Sequence, residues 1–510
     1  MKFKSSLLIF LFFGIIFNSY SQQTTAENLL AKMRNEGFQN SRAMEMLSEL
    51  TDVYGQRLNG SHEYFAAANW ISNKMKDIGL QNVHFEKYCP YCRGWSLASF
   101  NLEMTAPNYM HISGYPLAYT KSSNGTVSGE LVHIESYEDM DEVKRQFAGN
   151  LKGKVILLGK EPSKKSLSEP ITTRFSEEEL TKMEEILTAE VKQTPLPELI
   201  KSWEIEDFED DEILRFVEEE GGLAVLKTEP MHLGILQPDG TFYYKMNDLK
   251  PLPYFTIMPE HFGRMLRMLK LGIVPVIRLN LETEFYDEPE NNVNIIGQIT
   301  GSDPKLKNEK IIIGAHFDSW HSSTGATDNG ANGVVLVEAL RILIQAGYTP
   351  RRTIVIGLWG GEELAFLGSL AYARDHFGSI DEEPNTDSKK VSAYLNLDNG
   401  VGAIRGIFLQ KNEFARPVFL EIFEPINDLC DGTITIENDL STDHETFDHY
   451  NIPAFQFIQD PLATHTVTQH TYLDFLEYVP ETDIMKNAVI LAWTLYSLAE
   501  MDEKVPRKSN

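Results

Sequence analysis

Glu362 and Glu363 stand side by side at the end of an apolar run, Thr353-Ile-Val-Ile-Gly-Leu-Trp-Gly-Gly-Glu-Glu363. The run has the make-up of a buried strand. Adjacent acids at its carboxyl end are costly unless something positive sits between them. The arrangement recurs upstream, where Ile311-Ile-Ile-Gly-Ala-His-Phe-Asp318 ends on His316 and Asp318, with Asp328 following. It recurs downstream, where Val391-Ser-Ala-Tyr-Leu-Asn-Leu-Asp398 ends on Asp398. Three strands that end in metal-type ligands imply one metal site at one edge of one sheet.

A hydrolytic metal site needs a cation with an open position, side chains to hold it, and a base for the attacking water. Strand alternation puts His316 and Asp318 on one face, so Asp318 can orient the far imidazole nitrogen. Asp328 sits in Gly325-Ala-Thr-Asp-Asn-Gly-Ala-Asn-Gly333. An aspartate just before a helix also suits an N-cap, but the glycine-rich surround allows a closer backbone approach than a cap requires. Glu362 and Glu363 are neighbours and point differently, so one can bind metal while the other takes a proton. Asp398 precedes Asn-Gly, which is also good turn chemistry. A last histidine is needed. His444, His465 and His470 are all candidates, and spacing alone does not choose among them. Trp320, His321 and Ser322 are candidates for lining a specificity pocket.

The elements around these residues follow from composition and periodicity. At 510 residues the chain exceeds one core, and two domains are expected. Apolar residues at 42% and aromatics at 11% mark a globular protein. A formal charge of −28 argues against nucleic-acid or anionic-membrane partners. Lys2 and Lys4, the apolar Leu7 to Phe17 run and Ser19-Tyr-Ser21 predict an export signal over 1–21, with cleavage before Gln22. No second long apolar run follows, so the mature chain is expected without a membrane span, in the periplasm or outside the cell. Of the three cysteines, Cys89 and Cys92 form a Cys-Pro-Tyr-Cys motif. No helix is expected after it, so a local disulfide or buried thiols are preferred to a redox site. Cys430 is expected in the core.

Residues 25–80 have helical periodicity, with Tyr64, Ala68, Ile71, Met75 and Ile78 on one face, Ser61 as N-cap and Gly79 as the stop. From about 113 to 290 short β-type runs dominate, at Val127–Ile134, Lys154–Gly159, Gly222–Lys227, Pro253–Met258 and Val274–Leu281. Within them an acidic stretch at about 160–220 is expected to be a solvated helical insertion. From 291 strands and helices alternate, and Gly330–Ala346 is a strong helix that Gly347 ends. Such βα units imply an α/β fold with a mainly parallel mixed sheet flanked by helices, ligands lying at the strands' carboxyl ends. The predicted organisation is 22–112 and 291–505 as one catalytic domain, interrupted by a β-rich insertion over 113–290.

Together these motifs resemble the co-catalytic di-zinc exopeptidases, a family that includes bacterial aminopeptidases and glutamate carboxypeptidases. The motifs that carry the likeness are His-x-Asp, a glycine-rich stretch with Asp, Glu-Glu after a strand, Asp after the next strand, and a late His-Thr-x-x-Asp. The resemblance implies that His316 and Asp398 bind one zinc, that Asp328 bridges, and that Glu363 and a late histidine bind a second. It assigns Glu362 as general base and Asp318 as the supporting carboxylate. It favours His470 as the late ligand, because Thr471 and Asp474 follow, with His465 as fallback. Asp443-His444 and Phe447 resemble a stretch bordering the family's active site. The middle region resembles a protease-associated domain. The expectation is an exported exopeptidase with two zinc ions per chain and a peptide substrate, acting at an amino end, a carboxyl end or on dipeptides. The oligomeric state stays open, a homodimer included. Its rivals are a single-zinc glutaminyl-cyclase-like transferase on the same scaffold and a non-enzymatic receptor-like relative.

Overall fold

A computed structural model describes residues 26–508, apart from 162–167, 169, 207–209, 230, 232–233 and 241–242. The expected export signal lies outside the described residues. Two eight-stranded sheets organise what is described.

The first sheet runs Gln81–Lys87, Val293–Ile299, Thr353–Trp359, Lys310–His316, Val391–Asn396, Ala454–Gln459, Ile404–Phe408, Thr433–Thr435 in spatial order. Its centre is parallel and its flanks carry antiparallel pairs. These strands are continuous apolar runs because both faces are covered. Ile311, Ile313, Ile356 and Leu395 face the main core, and Ile312, Val355, Trp359 and Tyr394 face a second cluster with Phe447. Register then places the chemistry. His316 is level with Trp359, and Gly314 is level with Asn396. His316 and Asp398, each two residues farther on, therefore emerge side by side.

The helix Ala331–Gln345 is buried continuously from Ala331 to Leu343, more than a single apolar face requires. It is covered by the sheet on one side and by the helices Ala43–Glu49 and Glu481–Glu500 on the others. Its buried Glu338 is answered by Arg341 at 2.8 Å. Helix His62–Asp77 is capped as expected, Ser61 Oγ accepting from Tyr64 N at 3.0 Å. The N-cap of Ala331–Gln345 is Gly330, so Asp328 does not cap it.

The second sheet runs Met110–His111, Gly94–Ala106, Val276–Tyr286, Val127–Ile134, Val155–Leu158, Ala224–Lys227, Tyr254–Ile257, Gly114–Pro116. Here the expected division at 113 is corrected. Gly94–Ala106 pairs antiparallel with Val276–Tyr286 and so belongs to this sheet, not to the first. The partner strand lies far away in sequence, and no local signal could announce the pairing.

The acidic stretch is also more than a solvated insertion. It forms helices Glu177–Glu185, Leu196–Glu206 and Asp211–Glu219, the last burying Ile213, Leu214, Phe216 and Val217. Its leading segment is fastened to the first sheet's side. Arg174 pairs with Asp460 at 2.7 Å and with Asp483 at 2.6 Å, while Arg405 takes the other Asp460 oxygen at 2.8 Å. Farther on, the amides of Glu190 and Val191 donate to the Glu437 carboxylate at 2.7 and 3.2 Å. The charge run hides these attachments because the three anchoring carboxylates, Asp460, Asp483 and Glu437, lie far along the chain.

Cys89 and Cys92 are joined in a buried disulfide, and Cys430 is buried and free. Among the described residues no helix is long and apolar enough to cross a membrane.

Candidate metal centre

The site begins with a tight turn. After Thr353–Trp359, Gly360 lies so close to Tyr64 that an added Cβ would sit 2.2 Å from the hydroxyl, and Gly361 has φ +67°. Only glycine satisfies both demands. The turn projects Glu362 and Glu363 over the strand ends. The buried Asp318 fixes it: one carboxylate oxygen accepts from Glu362 N at 3.2 Å and the other from Glu363 N at 3.3 Å. His316 Nδ1 meets the Asp318 backbone carbonyl at 3.1 Å, closer than the carboxylate at 3.6 Å. Asp318 thus supports the histidine chiefly through its main chain, and its carboxylate serves the glutamates.

Asp474 repeats the device on the opposite side. Its oxygens accept from Thr327 N at 2.6 Å and Asp328 N at 3.0 Å. Asp398 is held at the end of a buried relay. Trp359 Nε1 donates to Tyr394 Oη at 2.9 Å, and that hydroxyl donates to Asn396 Oδ1 at 2.6 Å. Asn396 Nδ2 donates to Thr442 Oγ1 at 2.9 Å, and Thr442 donates to Asp398 Oδ2 at 2.6 Å. Each hydroxyl both accepts and donates, so the polarisation runs one way toward the carboxylate. Arg57, wholly buried, braces the loop beyond His316 by donating to the carbonyls of Phe317, Thr324 and Gly325 at 2.7–2.8 Å.

Two donor groups result, and they share one residue: His316, Asp328 and Asp398 form the first, and Asp328, Glu363 and His470 the second. His316 Nε2 is 3.1 Å from Asp328 Oδ1 and 3.3 Å from Asp398 Oδ1. His470 Nε2 is 2.9 Å from Glu363 Oε2 and 3.4 Å from Asp328 Oδ2. Glu362 Oε2 stands off at 4.0 Å from His316 Nε2 and joins neither group. His465 lines the cleft but its ring pairs with Gln469 at 2.9 Å, outside both groups. His444 is fully buried, bonded to the Asp439 carbonyl at 3.1 Å, and its pKa is pushed down to about 3 by burial. The expected specificity lining is corrected too. His321 is buried against the second sheet, bonded to Pro116 O at 2.7 Å, and Ser322 is buried. Trp320 packs edge-on against His470, its ring centroid 6.1 Å away.

So many acids at one buried point demand a cation. Burial pushes Glu362 well above the usual carboxylate range, and Asp398 and Asp443 add to it. Glu363 is raised to about 7 by burial against the opposing pull of His470. Burial disfavours charge on His316, but the surrounding carboxylates, Asp398 foremost, outweigh it and raise its pKa. Asp328 Oδ2 and Glu363 Oε1 are buried without a hydrogen-bond donor. Orphaned carboxylate oxygens beside histidine nitrogens fit a divalent metal with nitrogen and oxygen ligands. The groups that sequence reasoning did not single out are Thr442, Arg57, Asn396 and Tyr394. They are uncharged, or lie far from the motif, and become functional only through hydrogen bonding.

The donor groups open on a cleft of about 800 Å³. Its facing wall comes from the second sheet and its connections, through Tyr137, Asp210, Lys227, Glu229 and Tyr243.

Comparison with known proteins agrees with this chemistry. Residues 294–494 match the model of Peptidase family M28. Carboxypeptidase Q from Mus musculus is 24% identical over 472 residues, covering 92% of this chain and 87% of its own. Leupeptin-inactivating enzyme 1 from Streptomyces exfoliatus is 25% identical over 222 residues, covering 40% of this chain and 48% of its own. Among solved structures, a peptidase M28 precursor from Shewanella amazonensis superposes with TM-score 0.66 at 21% identity, covering 96% of this chain and 99% of that one. A zinc aminopeptidase from Bacillus subtilis gives 0.55 at 18% identity, covering 90% and 95%. These structural likenesses extend the shared α/β fold over nearly the whole chain. The family match over residues 294–494, the relatives and the two donor groups that share Asp328 together support a zinc metallopeptidase of the co-catalytic exopeptidase type.

Proposed function

We propose that this is an exported exopeptidase that carries two zinc ions and cleaves a peptide bond near a chain end. His316 and Asp398 would hold one ion and Glu363 and His470 the other, with Asp328 available to both. The second sheet, with the acidic helices, is an inserted domain of the protease-associated type that closes the cleft opposite the metals. Bound zinc would polarise the scissile carbonyl and lower the pKa of the attacking water. Glu362 removes that water's proton and returns it to the leaving amine, which suits a buried carboxylate with raised pKa that ligates nothing. Asp318 keeps Glu362 aimed by holding its amide.

The observation that carries this reading is that Asp328 belongs to both donor groups at once. Elemental analysis of purified, zinc-saturated protein is expected to give two zincs per chain. His470→Ala should lose one, and His465→Ala should keep both. One zinc per chain at saturation, with cyclisation of an N-terminal glutamine peptide and no hydrolysis across a peptide panel, would overturn it.

A further inference from the structure

Glu362 and the metal donors do not say which end of a peptide the enzyme requires. The facing wall does. Among the described residues lining the cleft, Lys227 is the only lysine or arginine. It ends the strand Ala224–Lys227, whose neighbours Val155–Leu158 and Tyr254–Ile257 run parallel to it. Its ammonium lies 5.4 Å from the Tyr254 ring centroid, which steers it by cation–π attraction.

The nearby acids do not saturate it. Both oxygens of Asp210 already accept hydroxyls, from Tyr137 and Tyr254, each at 2.7 Å. Glu229 is 3.5 Å from the ammonium, beyond the ~2.7–2.9 Å of a charge-assisted hydrogen bond. The Lys227 side chain keeps 26% exposure. Among the described residues lining the cleft away from the donor groups, the other charged side chains are the acids Asp210, Glu229 and Asp439, so Lys227 is the one cation there besides any charge on His465.

Building on the exopeptidase reading above, we propose that Lys227 is a specificity-determining residue that binds the free α-carboxylate of the substrate. The preferred substrates are then short peptides with an unblocked carboxyl end, the inserted wall reading that end while the metals hold the scissile carbonyl.

Steady-state kinetics on the zinc-loaded full chain test this, with alanyl-alanine and its C-terminal amide as the paired probes. Wild type should favour the free acid by roughly ten- to hundred-fold in kcat/KM, the value of one charge-assisted contact. Lys227→Met should collapse that ratio toward one, mainly through KM for the acid, with zinc content unchanged. Lys227→Arg should restore part of the preference, which a merely structural role would not. Equal turnover of acid and amide by wild type would overturn the proposal. So would an equal loss on both probes in Lys227→Met. Hydrolysis of neither probe, nor of any longer peptide, would instead overturn the exopeptidase reading itself.

Discussion

The two walls of the cleft are built on one plan and were legible to very different degrees. Both bring the carboxyl end of a parallel strand to the cleft: Lys310–His316, Thr353–Trp359 and Val391–Asn396 on the metal side, and Ala224–Lys227, between two parallel neighbours, on the other. On the metal side most donors directly follow their strands, so residue types mark both the strand and its chemistry. On the facing wall only Lys227 and Glu229 keep that relation. Asp210 reaches the cleft from the acidic insertion and is organised by tyrosines from two other elements. A catalytic wall constrained by metal geometry writes itself into sequence. A recognition wall, which needs only charge and shape, does not.

The comparison can be broken in order of expected effect. If the metal side holds the chemistry, Glu362→Gln should lose at least ~10²–10⁴-fold in kcat while retaining zinc. Turnover near wild type in a zinc-loaded variant would remove Glu362 from the base role.

The paired clamps come next. Asp318→Asn and Asp474→Asn each weaken one of the two amide grips beneath a ligand, and each should cost roughly 10–100-fold in zinc affinity. In the metal-free chain burial raises Asp474 to about 7 and Glu363 likewise to about 7. A raised carboxylate is protonated below that value, so a proton competes with zinc as pH falls through it. Zinc binding at neutral pH should therefore release protons, readable by calorimetry in buffers of different ionisation enthalpy. Unchanged zinc affinity in both variants would mean the clamps do not position the ligands.

The smallest effect is expected at the strap between the walls. Arg174→Ala leaves Asp460 with Arg405 as its remaining cation, and the Arg174 side chain is 45% exposed. The loss should be about 1–2 kcal/mol in urea unfolding, with kcat/KM altered less than ten-fold. A larger loss of activity than of stability would make the strap part of the recognition wall.

Much of the first sheet could be read in advance, because strands buried on both faces are continuous apolar runs and their ends are marked by acids. The helix His62–Asp77 and its Ser61 cap were equally legible, since capping is a local interaction. The sheet to which Gly94–Ala106 belongs was not, because its partner Val276–Tyr286 lies far along the chain. The acidic stretch misled for the same reason: its charge is local information, whereas Arg174 and Glu437 meet their partners only after the chain has folded.

The sequence by itself determined the donor types, their order and the strand ends that carry them. It also marked Glu362 and Glu363 as adjacent carboxylates at one strand end, where they need a nearby positive charge. Only the tertiary structure decided which late histidine stands with Asp328 and Glu363. Spacing left His444, His465 and His470 open and only the family resemblance favoured His470, whereas the fold brings the His470 ring to 2.9 Å from Glu363. The structure likewise decided that Asp318 grips the glutamate amides and that Thr442 ends a relay onto Asp398. Those roles depend on hydrogen-bond direction across the fold, which spacing along a chain does not encode.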